Sequence, residues 1–233
     1  MNRNKPKRNL PYFLAELLIL IIGITVSFAL NEYRQDRKEG EQEILLLKSF
    51  KDDLVRDSTV LSFGIDLMTS QIEASQKLVL LEPKATFSDS AVINTVTLLS
   101  YIPFSPQNIA YEEMKSLGNT HIIKNDSLAK GLIGLYENYY ENIFEWSSID
   151  KDHVKNKLIN FTINKFPFAS NLDFTSLSDQ KKRQFMSAIK TDEFKHLVQW
   201  GLLYKASTNA TFDSALVNIR LLIEQIDGEI PED

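Results

Sequence analysis

Three histidines, His121, His153 and His196, are the residues of this 233-residue chain best suited to move protons near neutral pH or to ligate a metal. They lie far apart in sequence, and none belongs to a zincin or similar motif. Asp150-Lys151-Asp152-His153 places an aspartate and a histidine one helical turn apart, a spacing compatible with metal binding. A single such pair lacks the third and fourth ligands of a zinc site, and a solvated helix face accounts for it more simply. Glu112-Glu113 and the i,i+4 pair Glu137/Glu141 offer carboxylates, but acids at that spacing are ordinary on helix surfaces. No glycine-rich phosphate loop, nucleophile elbow or dinucleotide fingerprint occurs. The chain has no cysteine, which removes disulfides, thiolate metal sites and cysteine nucleophiles together. Tyr136, Tyr139, Tyr140, Phe144 and Trp146 form an aromatic run that suits a core with one amphipathic edge, or a strip for a partner. The residues therefore predict no catalytic site, no metal site and no cofactor.

The elements that carry these residues are bounded by composition. Hydrophobic residues make up 43% of the chain, enough to bury a core, and the formal net charge is −5. Beyond the N-terminal tail the only dense basic cluster is Lys181–Arg183, so a nucleic-acid interface is excluded for want of a basic face.

The stretch "LPYFLAELLILIIGITVSFALNE" (Leu10–Glu32) is the most apolar in the chain. From Tyr12 to Leu30 a helix covers about 28 Å, close to the hydrocarbon thickness of about 30 Å. Pro11 suits its first turn. Glu16 enters shallowly enough to reach the headgroups and sits where the helix dipole favours negative charge. The division that follows is a short basic cytoplasmic tail (1–11), a transmembrane helix (12–30) and an extracytoplasmic domain (31–233). A cleaved signal peptide competes, with Ser27-Phe28-Ala29 as its small-x-small site, against which stands the unbroken helix-favouring run from Asn31 to Glu43. Arg3, Lys5, Lys7 and Arg8 favour a cytoplasmic N-terminus, although Arg34, Arg37 and Lys38 lie on the far flank. The expected location is the inner membrane, crossed once, with the bulk of the chain periplasmic. Glu16, Leu20, Gly23 and Ser27 share one stripe of this helix, and Asn31 extends it. Small residues four apart admit a second helix, so the stripe predicts a packing face for another copy or another membrane protein.

Past residue 31, Pro83, Pro103, Pro106, Pro167 and Pro231 all fall outside three long stretches that suit helices. The first, 31–81, carries a seam of Leu47, Leu54, Leu61, Ile65, Met68, Ile72 and Val79, with Ser58 and Ser75 in the alternating places. The second, 126–166, aligns Leu128, Leu132, Leu135, Tyr139, Ile143, Trp146, Val154, Leu158 and Phe161. The third, 192–227, aligns Phe194, Leu197, Tyr204, Leu216, Ile219, Ile223 and Ile226, with Thr191 as N-cap and Gly228 as stop. Shorter helices are predicted at 89–100, at 106–117 with Ser105-Pro106 as its start, and at 179–190. Strand-like alternation is nearly absent. The predicted fold is all-α: an N-terminal transmembrane helix that continues into an elongated antiparallel helical bundle.

"AELLILIIGITVSFALNE" and "YEEMKSLGNTHIIKNDSLAKGLIGLYENYY" together resemble a family of bacterial single-pass membrane proteins known only as a domain of unknown function. The resemblance rests on Glu16, Gly23, Ile24, Ala29, Leu30 and Asn31, then on Tyr111, Glu113, Ser116, Gly118, Ile123, Asn125, Leu128 and Tyr136. It covers roughly the first 145 residues and departs at Ala15 and Tyr33, where the family favours glycine and tryptophan. It implies a membrane-anchored, helical envelope domain and supplies no activity. Physically, the second motif is a helical corner: Gly118 ends one helix, and Asn125 or Asp126 caps the next. Tyr111, Glu113, Ser116, Gly118 and Asn125 are its candidate functional residues. Two functions fit. The first is a non-catalytic scaffold or accessory module that meets a protein partner, or its own copy, through the transmembrane or long first helix, with the lipid bilayer as its other partner. The second is a ligand sensor or enzyme with a pocket inside the bundle; convergence of the three histidines with carboxylates in one cleft would favour it.

Overall fold

The computed structural model describes residues 10–116, 122–166 and 177–231. The basic residues of the 1–9 tail, Gly118, His121 and Pro167 lie outside them. All regular structure among the described residues is helical. In chain order it comprises α1 (Leu10–Val79), α2 (Asp89–Thr97), α3 (Ile109–Ser116), α4 (Asp126–Gly134), a π turn (Leu135–Tyr139), α5 (Tyr140–His153), a second π turn (Val154–Leu158), α6 (Ile159–Lys165), α7 (Asp179–Ile189) and α8 (Asp192–Glu229).

The chain divides into two compact units, Met1–Leu46 and Leu47–Asp233. In the first, every described side chain from residue 11 to residue 39 is exposed. This segment is long and apolar enough to cross a membrane: an 18-residue window has a mean hydropathy of 2.5, and none of it is buried.

The second unit is a bundle built on α1 from Leu47, the run α4–α6, and α8. Phe50 packs on Tyr136 and Asp57 bonds Tyr140, so α1 and the 126–165 run point the same way. Lys51 pairs with Asp227 and Gly64 abuts Phe212, so α8 is antiparallel to α1. Gly131 abuts Leu222 and Asp150 bonds Lys205, so α8 is antiparallel to α4–α6 as well. The antiparallel relation thus holds for α8 against both long neighbours. The first two run parallel because residues 81–125 carry the chain back to the end from which it started.

On α1 the buried row differs in part from the predicted seam. Leu47, Leu54, Leu61 and Met68 are buried as expected, but the second row is Phe50, Asp57, Gly64, Gln71 and Leu78. Ile65, Ile72 and Val79, one residue further on, are only half-buried. Polar side chains disguise the true row, because each has a partner inside.

In the second run Tyr139 is exposed and Tyr140 is buried. The π turn at Leu135–Tyr139 explains the shift: bonding i to i+5 inserts a residue, so the core face resumes one position late. Trp146 is half-buried. On α8, Leu197, Tyr204 and Ile223 flank the core, which runs instead through Val198, Lys205 and Leu222.

The caps follow side-chain chemistry. Ser88, Asn125, Ser178 and Thr191 accept N–H groups from the first turns of α2, α4, α7 and α8. Three predicted ends move, the helix expected to reach residue 100 ending at Thr97. Gly228 lies inside α8, whose final cap is the Ile230 N–H on the Ile226 carbonyl. The helix expected from Pro106 begins at Ile109, for a reason given below.

The glycines supply a paired test. A Cβ at Gly64 would stand 2.7 Å from the ring of Phe212, which is fully buried, whereas one at Gly228 would meet nothing. Gly64→Ala should lower the unfolding midpoint, because overpacking costs about 1–3 kcal/mol against a helix-propensity gain of about 1 kcal/mol. Gly228→Ala should raise it, through a gain in stability of up to about 1 kcal/mol. Thermal unfolding of the detergent-solubilised chain reads both, and equal effects would contradict the packing.

Candidate functional site

The polar residues on the inner face of α1 hold the segment that brings the chain back. Gln71 Nε2 donates to the Ser100 carbonyl at 3.2 Å and to Ser100 Oγ at 2.8 Å. Asp57 Oδ1 accepts the Gln107 N–H at 2.8 Å, and Asp53 Oδ2 accepts that of Ala110 at 3.0 Å. The two aspartates therefore satisfy N–H groups at the entrance to α3 from another helix, which is why α3 starts at Ile109 without its own serine cap.

Three tyrosines close over these carboxylates. Tyr140 donates to Asp57 Oδ2 at 2.6 Å, Tyr136 to the Gln107 carbonyl at 2.8 Å, and Tyr111 to Glu137 Oε1 at 2.9 Å. The rings of Tyr111 and Tyr136 stack with centroids 4.3 Å apart and planes 1° from parallel. Burial pushes the Tyr111 phenol up to about 12, with Glu137 adding to the shift; burial raises Tyr136 and Tyr140 as well. All three are neutral donors at physiological pH. Burial also raises Asp57 to about 6, opposed by its bonds from Tyr140 and Gln107 and reinforced by Asp53. Above this floor, between α3 and α5, an open cleft of about 640 Å³ is lined by Tyr111, Tyr136, Phe144, Glu112, Glu137, Glu141 and Lys115 among others. Lys115 sits over the Tyr111 ring at 5.2 Å. A negative rim over aromatic rings suits a cationic group.

A second polar cluster lies in the core. Lys205 is fully buried and donates to Asp150 Oδ1 and Oδ2 and to the Ser100 carbonyl, each at 3.1 Å. Burial pulls Lys205 down and Asp150 up, and their mutual attraction opposes both shifts. Three acceptor contacts surround the one ammonium, so each partner depends on the other inside the core. His153 Nε2 lies 2.8 Å from the Leu197 carbonyl, so that nitrogen carries the proton. Burial holds the imidazole below its usual range.

The candidate residues are thus distributed. Asp150 and His153 are both buried, not solvated, and each has a structural partner. His196 is exposed, and His121 lies outside the described residues, so no joint cleft of histidines is described. Among the described residues no three His, Cys, Asp or Glu side chains converge to hold a metal ion. Of the corner residues, Tyr111 joins the tyrosine cluster. Asn125 caps α4, its Oδ1 accepting the Ser127 and Leu128 N–H groups, and it also donates to Glu229. Glu113 and Ser116 are exposed on α3, where the Ser116 hydroxyl bonds the Glu113 carbonyl. On α1, Leu20, Gly23, Ser27 and Asn31 line one shallow groove with Ile24 and Phe28; Glu16 is exposed one turn before it. A Cβ at Gly23 would meet nothing, and Ser27 Oγ returns to the Gly23 carbonyl at 2.8 Å.

Two tests follow from the buried charges. Asp57 has a folded pKa above its unfolded value, so the folded state binds more protons between about pH 4 and 6. The contribution of this group to stability is therefore greatest below that window and falls as pH rises through it, by up to about 3 kcal/mol. Denaturant titrations should find wild type losing ground to Asp57→Asn from pH 4.5 to pH 7; a pH-independent difference would contradict the assignment. At neutral pH, Lys205→Met should cost about 3–5 kcal/mol by leaving Asp150 buried and unpaired, and adding Asp150→Leu should recover most of it.

No family model, no curated protein and no solved structure matches this chain.

Proposed function

We propose that the chain is a membrane-anchored envelope protein whose helical bundle serves as a scaffold or accessory module for a protein partner. The observation that carries this is the exposed apolar surface of α1: an 18-residue window with mean hydropathy 2.5 and nothing covering it. Such a surface is unstable in water and is satisfied by lipid. The helix over 12–30 crosses the inner membrane once, the N-terminus is cytoplasmic, and the domain from residue 31 is extracytoplasmic. The face of Glu16, Gly23 and Ser27 is open to a second transmembrane helix. Support for a binding role over catalysis comes from the buried ionisable groups: Asp57, Asp150, His153 and Lys205 are all engaged in holding segments together. The resemblance to the uncharacterised single-pass family belongs to the same proposal. A ligand sensor is the second reading, favoured by the cleft over Tyr111 and Tyr136.

Fractionation tests the anchor. The chain should resist alkaline carbonate extraction and keep its intact N-terminus, and alkaline phosphatase fused after residue 233 should be active. A soluble species beginning at Leu30 would establish a cleaved signal peptide instead. An active cytoplasmic reporter at the C-terminus would reverse the topology.

A further inference from the structure

The cleft between α3 and α5 offers ring faces and carboxylates, while its phenols are already spent. Tyr111, Tyr136 and Tyr140 donate their hydroxyls to Glu137, the Gln107 carbonyl and Asp57. Tyr111 gives one ring face to Tyr136, stacked at 4.3 Å, so only its other face is left. Over that face lies Lys115 Nζ, 5.2 Å from the ring centroid. The chain thus seats an ammonium of its own on the aromatic platform, and it holds that ammonium loosely. The ion pair of Lys115 with Glu112 spans 3.9 Å, and the two side chains are 54% and 59% exposed. A pair so exposed contributes little.

We propose that the cleft binds a small quaternary ammonium ion, which takes the place of Lys115 on the Tyr111 ring. The proposal names a ligand class for the sensor reading given above and rests on that reading. Size is suitable: the cleft measures about 640 Å³, within the roughly 300–1,000 Å³ of small-molecule sites. Charge selects the class. Glu112, Glu137 and Glu141 face the single Lys115, which leaves the lining with a formal charge of −2. Glu137 binds Tyr111 through Oε1 only, and Glu141 is exposed one helical turn further on. An incoming cation gains these carboxylates together with the ring face, whereas an anion is repelled and a neutral molecule gains only the ring. A methylated ammonium suits the platform best, because its methyl groups meet ring faces and it has no N–H that needs an acceptor there.

Three probes of similar shape test the charge: choline, its uncharged carbon analogue 3,3-dimethylbutanol, and the anion 3,3-dimethylbutyrate. Each carries nine equivalent methyl protons, which saturation-transfer NMR reads in titrations with the full chain in maltoside micelles, against empty micelles. Choline should bind about tenfold more tightly than either analogue. Glu141→Gln, at an exposed position, should weaken choline about two- to fivefold. Lys115→Met, which vacates the ring, should tighten it by about the same factor. Neither variant should move the unfolding midpoint, so a lost signal is not lost fold. Choline binding that either variant leaves unmoved lies elsewhere and overturns the proposal. Binding of the alcohol or the anion as tightly as choline overturns the ammonium class and leaves the cleft a ligand site. Silence from all three probes overturns both the ammonium site and the sensor reading.

Discussion

The carbonyl of Ser100 accepts from Gln71 on α1 and from Lys205 on α8, and Lys205 is held in turn by Asp150 on α5. One backbone oxygen thus ties the three long helices of the bundle together. Its importance follows from the chain path. A segment that leaves α1 at one end and must return to the other before α4 can start exposes backbone donors and acceptors along the way, and buried ones need partners. Gln71, Asp57 and Asp53 meet that need in descending order along α1, at Ser100, Gln107 and Ala110. On the described part of this return path, side chains that look misplaced on a core face hold Ser100, Gln107 and Ala110 against α1.

The same constraint explains the tyrosine cluster. A buried carboxylate is costly unless its oxygens are saturated, and Asp57 reaches two donors only if Tyr140 points inward. The π turn before Tyr140 rotates the helix by the extra residue that makes this possible. Glu137, in the same turn, then falls beside Tyr111, where it accepts a hydrogen bond from the phenol. Local irregularity in one helix is thereby matched to buried charge on another.

These couplings mark where the sequence was readable and where it was not. Helix type, the membrane-length apolar run, the Thr191 cap and the Asn125 cap were legible because each depends on residues close in sequence. The second row of α1 was not, since nothing local marks Asp57, Gly64 and Gln71 as core positions: the groups they meet lie 29 to 148 residues away. Tyr140 was displaced by a π turn that no composition signal announces. Lys205 carried a faint one: it lies between Gly201 and Thr208 on the face that continues to Phe212, where a solvated lysine has no reason to be. The spacing of Asp150 and His153 is visible in the sequence but their burial is not, because burial is a property of the packed neighbour, here α8.

The two units also divide the physics of the molecule. Within Leu47–Asp233 most polar groups at the centre engage one another, which helps to fix helix order, while Gln71 Oε1, Ser147 Oγ, Asn209 Oδ1 and Asn218 Oδ1 are buried without a partner. The exposed apolar surfaces lie elsewhere: the window on α1, which is long and apolar enough to cross a membrane, and side chains such as Trp200 and Leu221 on α8. Such surfaces gain weight when partners are confined, because confinement removes much of the translational entropy that a small contact must otherwise offset. The packing of the bundle thus rests on buried polar pairs, while none of the apolar window on α1 is buried.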